Sequence, residues 1–534
     1  VLRRAETPSK LLQRVAAICG VVLAGVALST AWLDARWFVA TWFSLTAFFF
    51  LCANRPRWMG FVFGFVYGAL GLGLAFGWSV DMLSQSIGLE IWQASIVFAG
   101  LVAWESVPFG ALGACATRLS HERPWQLLWL PSVWIPLEAF WPRVFRWQLA
   151  HSQTDVLPLL QIADLGGAAS IGLIMLLVTA IAAIWLLWLR DTKPAGLPVR
   201  SQRLLGPTCV VSAIAVAALA YGLVQLSLQP RLAQDRPVLS VGLLQADTSY
   251  LATHPDLSKR SYELAGQVDL VCWPESSIGC YQSSLASFQD QETIKQFSRG
   301  PERGLRPLPN PPCMVLAGGK DFDSRTTPED GPYFQTAYLI DRDETILGRY
   351  YKRRLMPIGE YCPGQYYFPE LRQVVNVDDL FVPGNDPKPL VTREGAKLGV
   401  LICYEDIVAS VARDSVRHGA ELLITIINAS RFESPIALEQ HMRLALLRAV
   451  ENRRYFLRTA GTGVTCVIDP CGRIIDRAPI GEKATLLADV PLLTTRTLNS
   501  YLGDFLPWLC VVGLTLYTAR ARFSPHWQGV GPSA

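Results

Sequence analysis

Eight stretches of nearly unbroken apolar residues decide what this chain can become. A helix that crosses a bilayer needs about 20 consecutive apolar residues. Runs of that order occupy residues 15–33, 37–53, 58–80, 91–116, 127–141, 168–189 and 204–228, with an eighth at 502–518. The second and fifth are short. Between the seventh and eighth lies a block of mixed, globular composition. The 51% hydrophobic and 17% charged residues are therefore unevenly spread, and the mean hydropathy of +0.27 is not that of an ordinary soluble protein. Three parts are expected: residues 1–235, an N-terminal membrane domain of about seven transmembrane helices; residues 236–500, one large extramembrane domain; and residues 501–534, a last helix and tail. The first run is too long, and too poor in small residues at its end, for a cleaved signal peptide, so it reads as an anchor.

Lys and Arg concentrate in cytoplasmic connections of membrane proteins. Arg3, Arg4, Lys10 and Arg14 precede the first run, and Arg55 and Arg57 follow the second. Arg118 and Arg123 follow the fourth, Arg190, Lys193, Arg200 and Arg203 the sixth, and Arg520 and Arg522 the last. The alternate connections hold only Arg36, Arg143 and Arg146. Both termini are thus expected on the cytoplasmic side, and the 236–500 block on the outer side. Two carboxylates, Glu105 and Glu138, sit in or beside apolar runs, where an ionisable group is costly and is either hydrogen-bonded between helices or engaged with substrate. The stretch at 140–153 mixes Trp with Arg143 and Arg146 and suits an interface near phosphate headgroups. A net charge of +4 makes no case for nucleic acid, and six His without metal-ligand spacing call for no metal or cofactor.

Within 236–500, strand-like runs at 238–245, 269–273, 314–318, 334–341, 398–403, 422–427, 455–459 and 464–469 alternate with helical pieces at 407–418 and 436–452. That alternation predicts an α/β layered domain. Residues 298–312, rich in Pro, Gly and Arg, read as a surface loop.

Three stretches of this block carry chemistry. KLGVLICYED, from Lys397 to Asp406, is a buried-strand pattern that delivers Cys403 to its end, where the chain turns and free backbone N–H groups can stabilise an anion. The competing reading is a buried structural cysteine. LVCWPESS, residues 270–277, places Glu275 behind Trp273 and Pro274, either as a cap or as a general base. GRYYKRRLMPIGEYCPG, residues 348–364, holds Lys352, Arg353 and Arg354 just before the turn Pro357-Ile358-Gly359-Glu360. The basic run alone reads as a solvated patch, yet the turn after it is too particular for a random surface. Together the three stretches supply a carboxylate, an ammonium and a thiol. Glu275 would deprotonate Cys403 and later an incoming amine. Lys352 would lower the thiol pKa and stabilise a tetrahedral oxyanion, with the backbone N–H of Tyr404 completing the oxyanion hole.

At these residues the chain resembles the nitrilase superfamily, with its Glu-Lys-Cys triad on an αββα sandwich. With seven runs before that block and one after, it is similar to the membrane-embedded apolipoprotein N-acyltransferase family. Matching motifs are WPE at 273–275, YxKxxLxPxGEY at 350–361, GVLICYE at 399–405, the H-x-x-x-A-x-x-R-A-x-E helix at 441–451 and IDPxG at 468–472. The resemblance implies an α/β nitrilase-like sandwich carried by about eight spans of a bacterial inner membrane, with catalysis on the outer side. It implies that Cys403 takes an acyl group from a phospholipid, typically phosphatidylethanolamine, and passes it to the free α-amine of an S-diacylglyceryl-cysteine on a lipoprotein. It also implies that Glu360 is an accessory glutamate near the lysine, and that Tyr404 and Glu405 shape the site around the nucleophile. The chain departs from the pattern at Asp247, where asparagine is usual, at Phe432, where tryptophan is expected, and at Gly461, where asparagine is usual. Seven cysteines fall in the outward block, and a disulfide between Cys272 and Cys280 would stiffen the Glu275 loop. Two other readings share the triad: a membrane-tethered amidase or nitrilase-type hydrolase with water as acceptor, and a non-catalytic lipid-binding scaffold.

Overall fold

The computed structural model describes residues 8–191, 197–247, 254–278, 308–322, 333–365, 367–368, 381–432 and 434–523. The membrane part begins with α1 (Pro8–Leu33), α2 (Phe38–Cys52), α3 (Arg57–Ala75), α4 (Ser79–Ile87), α5 (Ile91–Ala116) and α6 (Trp129–Phe140). Two single turns, α7 (Leu157–Leu160) and α8 (Ala163–Gly166), lead into α9 (Ala168–Asp191) and α10 (Leu197–Ala233). Large apolar side chains point away from the protein on several of these helices; Phe43 is 72% exposed, Leu23 69% and Val216 65%. In water such surface is costly, whereas in lipid it is the favourable outer face.

Against the expectation of about eight spans, six helices among the described residues are long and apolar enough to cross a membrane: Leu12–Leu33, Ala35–Cys52, Arg57–Ala75, Ile91–Ala116, Ala168–Asp191 and Gln202–Ala233. The fifth apolar run yields only the 12 residues of α6, about 18 Å of helix against a hydrocarbon core of roughly 30 Å. It stops at Trp141, which is extended because Pro142 follows and excludes the helical conformation there. The third run divides between α3 and α4. The last run forms α15 (Phe505–Phe523), whose apolar part, Phe505–Ala519, falls short of the same length.

The tightest helix pair is α3 against α5. Gly60, Gly64 and Gly68 form a stripe every four residues, facing Gly110 and Gly113. A Cβ on Gly64 would lie 2.0 Å from the carbonyl oxygen of Phe109, and one on Gly113 2.1 Å from that of Gly60. Backbones this close need the small-residue spacing by which membrane helices gain packing energy.

The 236–500 block begins with β1 (Val238–Gln245), α11 (His254–Glu263), β2 (Leu270–Cys272), β3 (Met314–Phe322), β4 (Tyr333–Ile340), β5 (Ile346–Tyr351), β6 (Leu390–Val391) and β7 (Lys397–Ile402). It continues through α12 (Ala409–Arg417), β8 (Leu422–Ile427), α13 (Pro435–Asn452), β9 (Phe456–Ala460), β10 (Cys466–Ile468), β11 (Ile474–Arg477) and β12 (Ala484–Pro491), and α14 (Leu498–Leu502) precedes α15. One sheet runs β12-β1-β2-β3-β4-β5 and the other β11-β10-β9-β8-β7-β6. In each, three neighbouring parallel strands (β1, β2, β3 and β7, β8, β9) are flanked by antiparallel ones. Alternate side chains meet between the sheets: Leu239, Val241 and Leu243 of β1 share a core with Leu398, Val400 and Ile402 of β7 and Leu422, Ile424 and Ile426 of β8. The period of two along each strand makes this a sandwich. Helix α11 covers the outer face of the first sheet, and α12 and α13 cover that of the second. This is the αββα architecture expected.

The residues on the other face of the second sheet, Leu401, Leu423 and Ile427, belong to one core that continues through α12 and α13 into the membrane helices. Polar clamps cross the same junction. Arg453, 2% exposed, donates to Asp164 Oδ2 at 2.7 and 3.0 Å, to Gln161 Oε1 at 2.6 Å and to Pro470 O at 3.0 Å. Gln440 donates to the carbonyls of Trp32 and Ala75 and accepts from Trp78 Nε1. The sandwich is thereby seated on α7, α8 and the ends of α1 and α3. Part of the surface loop read at 298–312 and Cys280 lie outside the described residues. Cys272 is a free, fully buried thiol on β2.

Candidate active site

Lys352 and Cys403 directly follow the last residue of a strand, and Glu275 lies just past one, after Trp273 and Pro274. Glu275 comes after β2, Lys352 after β5 in the same sheet, and Cys403 after β7 in the facing sheet. Parallel pairing of β2 with β3 and of β7 with β8 aligns the carboxyl ends of these strands at one edge of the sandwich. Gly318 on β3 allows the approach: a Cβ there would stand 2.7 Å from the Glu275 Cα.

Lys352 is 1% exposed. Its ammonium lies 2.5 Å from Glu360 Oε1 and 3.6 Å from Glu275 Oε1. Burial pulls that ammonium toward neutrality, but the carboxylates of Glu360 and Glu275 outweigh it and hold it charged above its usual range. Glu275 also accepts from Gln335 Nε2 at 3.2 Å and from the Asn428 backbone N–H at 2.9 Å, and it stands beside the Cys403 thiol. Burial raises the Glu275 carboxyl, which makes it the better proton acceptor.

Cys403 occupies the left-handed region, with φ +49. A non-glycine residue there carries roughly 1–3 kcal/mol of strain, typical of active sites. The turn lifts the thiol to 3.7 Å from the Asn428 carbonyl oxygen. Burial pushes the thiol well above its ordinary range, and Glu275 adds to that, while Lys352 works in the opposite direction. The expected lowering by Lys352 is present but is not the larger effect. The sulfur rests as a thiol, hydrogen-bonded to the Asn428 carbonyl and beside the Glu275 carboxyl.

The remaining residues picked out in the sequence hold this frame. Glu405, fully buried, accepts from the backbone N–H groups of Ile402, Arg353 and Arg354 at 2.9, 2.6 and 3.0 Å and from the Tyr350 hydroxyl at 3.0 and 2.9 Å. It thus ties the cysteine turn to the lysine turn. Burial raises its carboxyl to about 7. Glu360 uses its second oxygen on the Met356 N–H at 2.8 Å. The Tyr404 hydroxyl donates to the Val144 carbonyl at 2.7 Å, fixing the elbow to the membrane domain. Three contributors carried no signal readable along the chain: Gln335, in the middle of a strand; the Asn428 N–H, a backbone group; and Asp406. Asp406 bonds His441 Nε2 at 2.9 Å and pairs with Arg458 behind the elbow. The three departures lie around the frame. Phe432 packs on Trp78, Phe145 and His441; Gly461 N–H donates to Ile427 O; and Asp247 lies 3.9 Å from Lys483.

Beside the lysine turn lies an apolar cavity with about 870 Å³ of empty space, part of it open to the outside. Leu72 and Phe76 at the end of α3, Leu83 on α4 and Val102 on α5 wall one side, and Met356 to Gly359 the other. Glu105 also lines it, 3.4 Å from Arg143, whose guanidinium lies over the Trp147 ring at 4.3 Å. Arg143, 2% exposed, therefore faces inward rather than toward headgroups. Glu138 accepts from the Leu149 N–H at 2.6 Å, a hydrogen bond between membrane segments.

Residues 241–499 match the family described as carbon-nitrogen hydrolase, and residues 24–181 match the apolipoprotein N-acyltransferase N-terminal domain. An apolipoprotein N-acyltransferase of Geobacter metallireducens is 30% identical over 89% of this chain and 90% of its own. One of Thermosynechococcus vestitus is 26% identical over 85% of each. Among solved structures, an amidase from Nesterenkonia sp. is similar over 48% of this chain and 91% of its own, at 19% identity and a TM-score of 0.34. The likeness in sequence runs through both the membrane part and the sandwich, and the chain belongs to the apolipoprotein N-acyltransferase family.

Proposed function

We propose that this protein transfers a fatty acyl chain from a membrane phospholipid, of the phosphatidylethanolamine type, to the N-terminal amine of an S-diacylglyceryl-cysteine on a lipoprotein. Cys403 is the nucleophile, Glu275 the general base and acid, and Lys352 the electrostatic partner. Glu360, Tyr404 and Glu405 hold the site in place. The sulfur attacks the ester carbonyl carbon while Glu275 takes the thiol proton. Negative charge on the carbonyl oxygen is stabilised by Lys352 and by the Tyr404 backbone N–H. As the C–O bond breaks, Glu275 returns the proton to the leaving lysophospholipid oxygen, and a thioester remains. The acceptor amine then attacks the thioester, Glu275 removes its proton, and the sulfur leaves to regain one. No cofactor or metal takes part in these steps.

The observation that supports this reading is the buried cluster of Glu275, Lys352 and Glu360 around the Cys403 turn, next to an apolar cavity walled by membrane helices. Both substrates carry chains too apolar to leave a bilayer for a soluble site. The proposed setting is the bacterial inner membrane, with the sandwich outside and both termini in the cytoplasm, as the distribution of Lys and Arg suggests. Mass spectrometry of Cys403 after incubation with phospholipid alone tests it: an acyl adduct, lost in Cys403→Ala, is the expected result. The carbon-nitrogen hydrolase match favours one alternative, acyl transfer to water. Release of free fatty acid from a supplied diacylglyceryl peptide, without amide formation, would establish that alternative.

A further inference from the structure

Next to the apolar cavity lies a second one with about 560 Å³ of empty space, part of it open to the outside, and its walls are of a different character. Trp78, just before α4, and Asp81, Met82 and Gln85 along it face Arg431, Phe432 and Ser434 from the segment after β8. Met82 and Arg431 line both cavities, so the two are contiguous. Trp78, Phe145 and Phe432 pack on one another with ring centroids 5.5–6.2 Å apart, and this aromatic group stands where the two spaces adjoin.

Among the described residues, the alcove brings together one anion and one cation from distant parts of the chain. Among the described residues, neither Asp81 nor Arg431 takes part in an ion pair. Arg431 makes a long hydrogen bond to the Gly359 carbonyl, at 3.4 Å. Most other charged groups near the site are committed: Lys352 to Glu360, Arg353 to Asp414, Arg143 to Glu105. The segment carrying Arg431 starts at the thiol, because the Asn428 carbonyl is the group 3.7 Å from the Cys403 sulfur. Three residues of chain reach at most about 11 Å, so the Arg431 backbone lies no farther than about a glycerol-and-phosphate length from Asn428.

We infer that this alcove is the headgroup subsite of the acyl donor: Arg431 binds the phospholipid phosphate, and Asp81 reads the group beyond it, favouring a headgroup that bears an ammonium over one that is neutral or anionic. The inference rests on the reading of the apolar cavity as the place of the donor's acyl chain. A phospholipid requires this adjacency, with an apolar channel on one side of its ester and a phosphate with its substituent on the other. Guanidinium matches phosphate oxygens in a fork, and a carboxylate attracts an ammonium but repels a second anion. Asp81 and Arg431 are exposed in the structure, so substituting them leaves the core intact.

The test is single-turnover formation of the Cys403 thioester, without acceptor, from detergent-dispersed phosphatidylethanolamine or phosphatidylglycerol of the same acyl composition. In the wild type the amine-bearing donor is expected to be the faster. Asp81→Asn is expected to shrink the ratio of the two rates by about fivefold, slowing the first donor and speeding the second. Arg431→Gln is expected to slow both donors alike, with Arg431→Lys restoring part of the rate. An unchanged ratio in Asp81→Asn, or an unchanged rate in Arg431→Gln, overturns the inference while thioester formation in the wild type leaves the proposed function standing. An effect of either variant that appears only after acceptor is added overturns it as well, by assigning the alcove to the lipoprotein. Absence of any wild-type thioester removes both readings.

Discussion

The Lys352 ammonium lies 2.5 Å from Glu360 and 3.6 Å from Glu275. The carboxylate read as the base is thus the more distant of the two. This spacing has a chemical use. A base in direct contact with an ammonium would be held ionised and would be a poor proton acceptor. Glu360 takes up most of the lysine charge, and burial keeps the Glu275 carboxyl raised. Glu360→Gln should let the ammonium turn to Glu275 and weaken it as a base. We expect thioester formation to slow by about 10²-fold, with little change in the donor concentration needed for half-maximal rate. A near-normal rate would show that Glu360 serves the turn alone.

The Cys403 thiol is raised well above its ordinary range, so the free enzyme holds little thiolate at neutral pH. Reaction of Cys403 with iodoacetamide should be slow at pH 7 and still climbing at pH 9. Glu275→Gln should slow it further at neutral pH. A plateau of reactivity near neutrality would indicate a preformed ion pair instead.

Glu405 is an acid whose folded value, about 7, lies above its ordinary 4.5. The folded state then binds a proton that the unfolded chain has already released between these two pH values. Its contribution to stability is complete below pH 4.5 and is lost as pH rises through about 7. The Tm in detergent should therefore decline across that window more steeply in the wild type than in Glu405→Gln. Parallel pH profiles for the two proteins would contradict this.

Gly64→Ala should be costly for a reason separate from chemistry. Its Cβ would meet the Phe109 carbonyl at 2.0 Å, and backbone cannot yield as a side chain can. We expect a loss of about 1–3 kcal/mol, read as a lower Tm. Gly73→Ala on the same helix, where the nearest group is Val102 at 4.0 Å, serves as the tolerated comparison.

Arg453→Leu removes the cation that joins the sandwich to the membrane segment before α9. Asp164 would keep only the Tyr221 hydroxyl, at 2.8 Å. Removing one partner of a buried pair costs about 3–5 kcal/mol. We expect poor accumulation of folded protein, and early proteolysis between the two parts in what remains.

Much of the architecture was legible because local rules govern it. The runs at 238–245 and 422–427 became β1 and β8 with the same boundaries, since β-branched and leucine-rich segments of that length pack on both faces in a parallel sheet. Strands β5, β6, β11 and β12 were not legible. The four residues of β11 are all exposed, and a strand without a buried face has no hydrophobic period to read. Helix length was hidden as well: apolar content marked 127–141 as membrane-like, but Pro142 ends the helix after 12 residues.

The motifs around Glu275, Lys352, Glu360 and Cys403 are properties of short stretches, and they carried the chemistry and the family before any fold was known. The chain alone could not say that Lys352 leans on Glu360 more than on Glu275, or that the thiol rests protonated. Nor could it place Gln335 and the Asn428 N–H on the base, or show that two cavities meet at Arg431. Each depends on groups tens to hundreds of residues apart becoming neighbours through strand pairing and helix packing. Residue types and their order are written locally; electrostatic surroundings and enclosed space exist only after the chain has closed on itself.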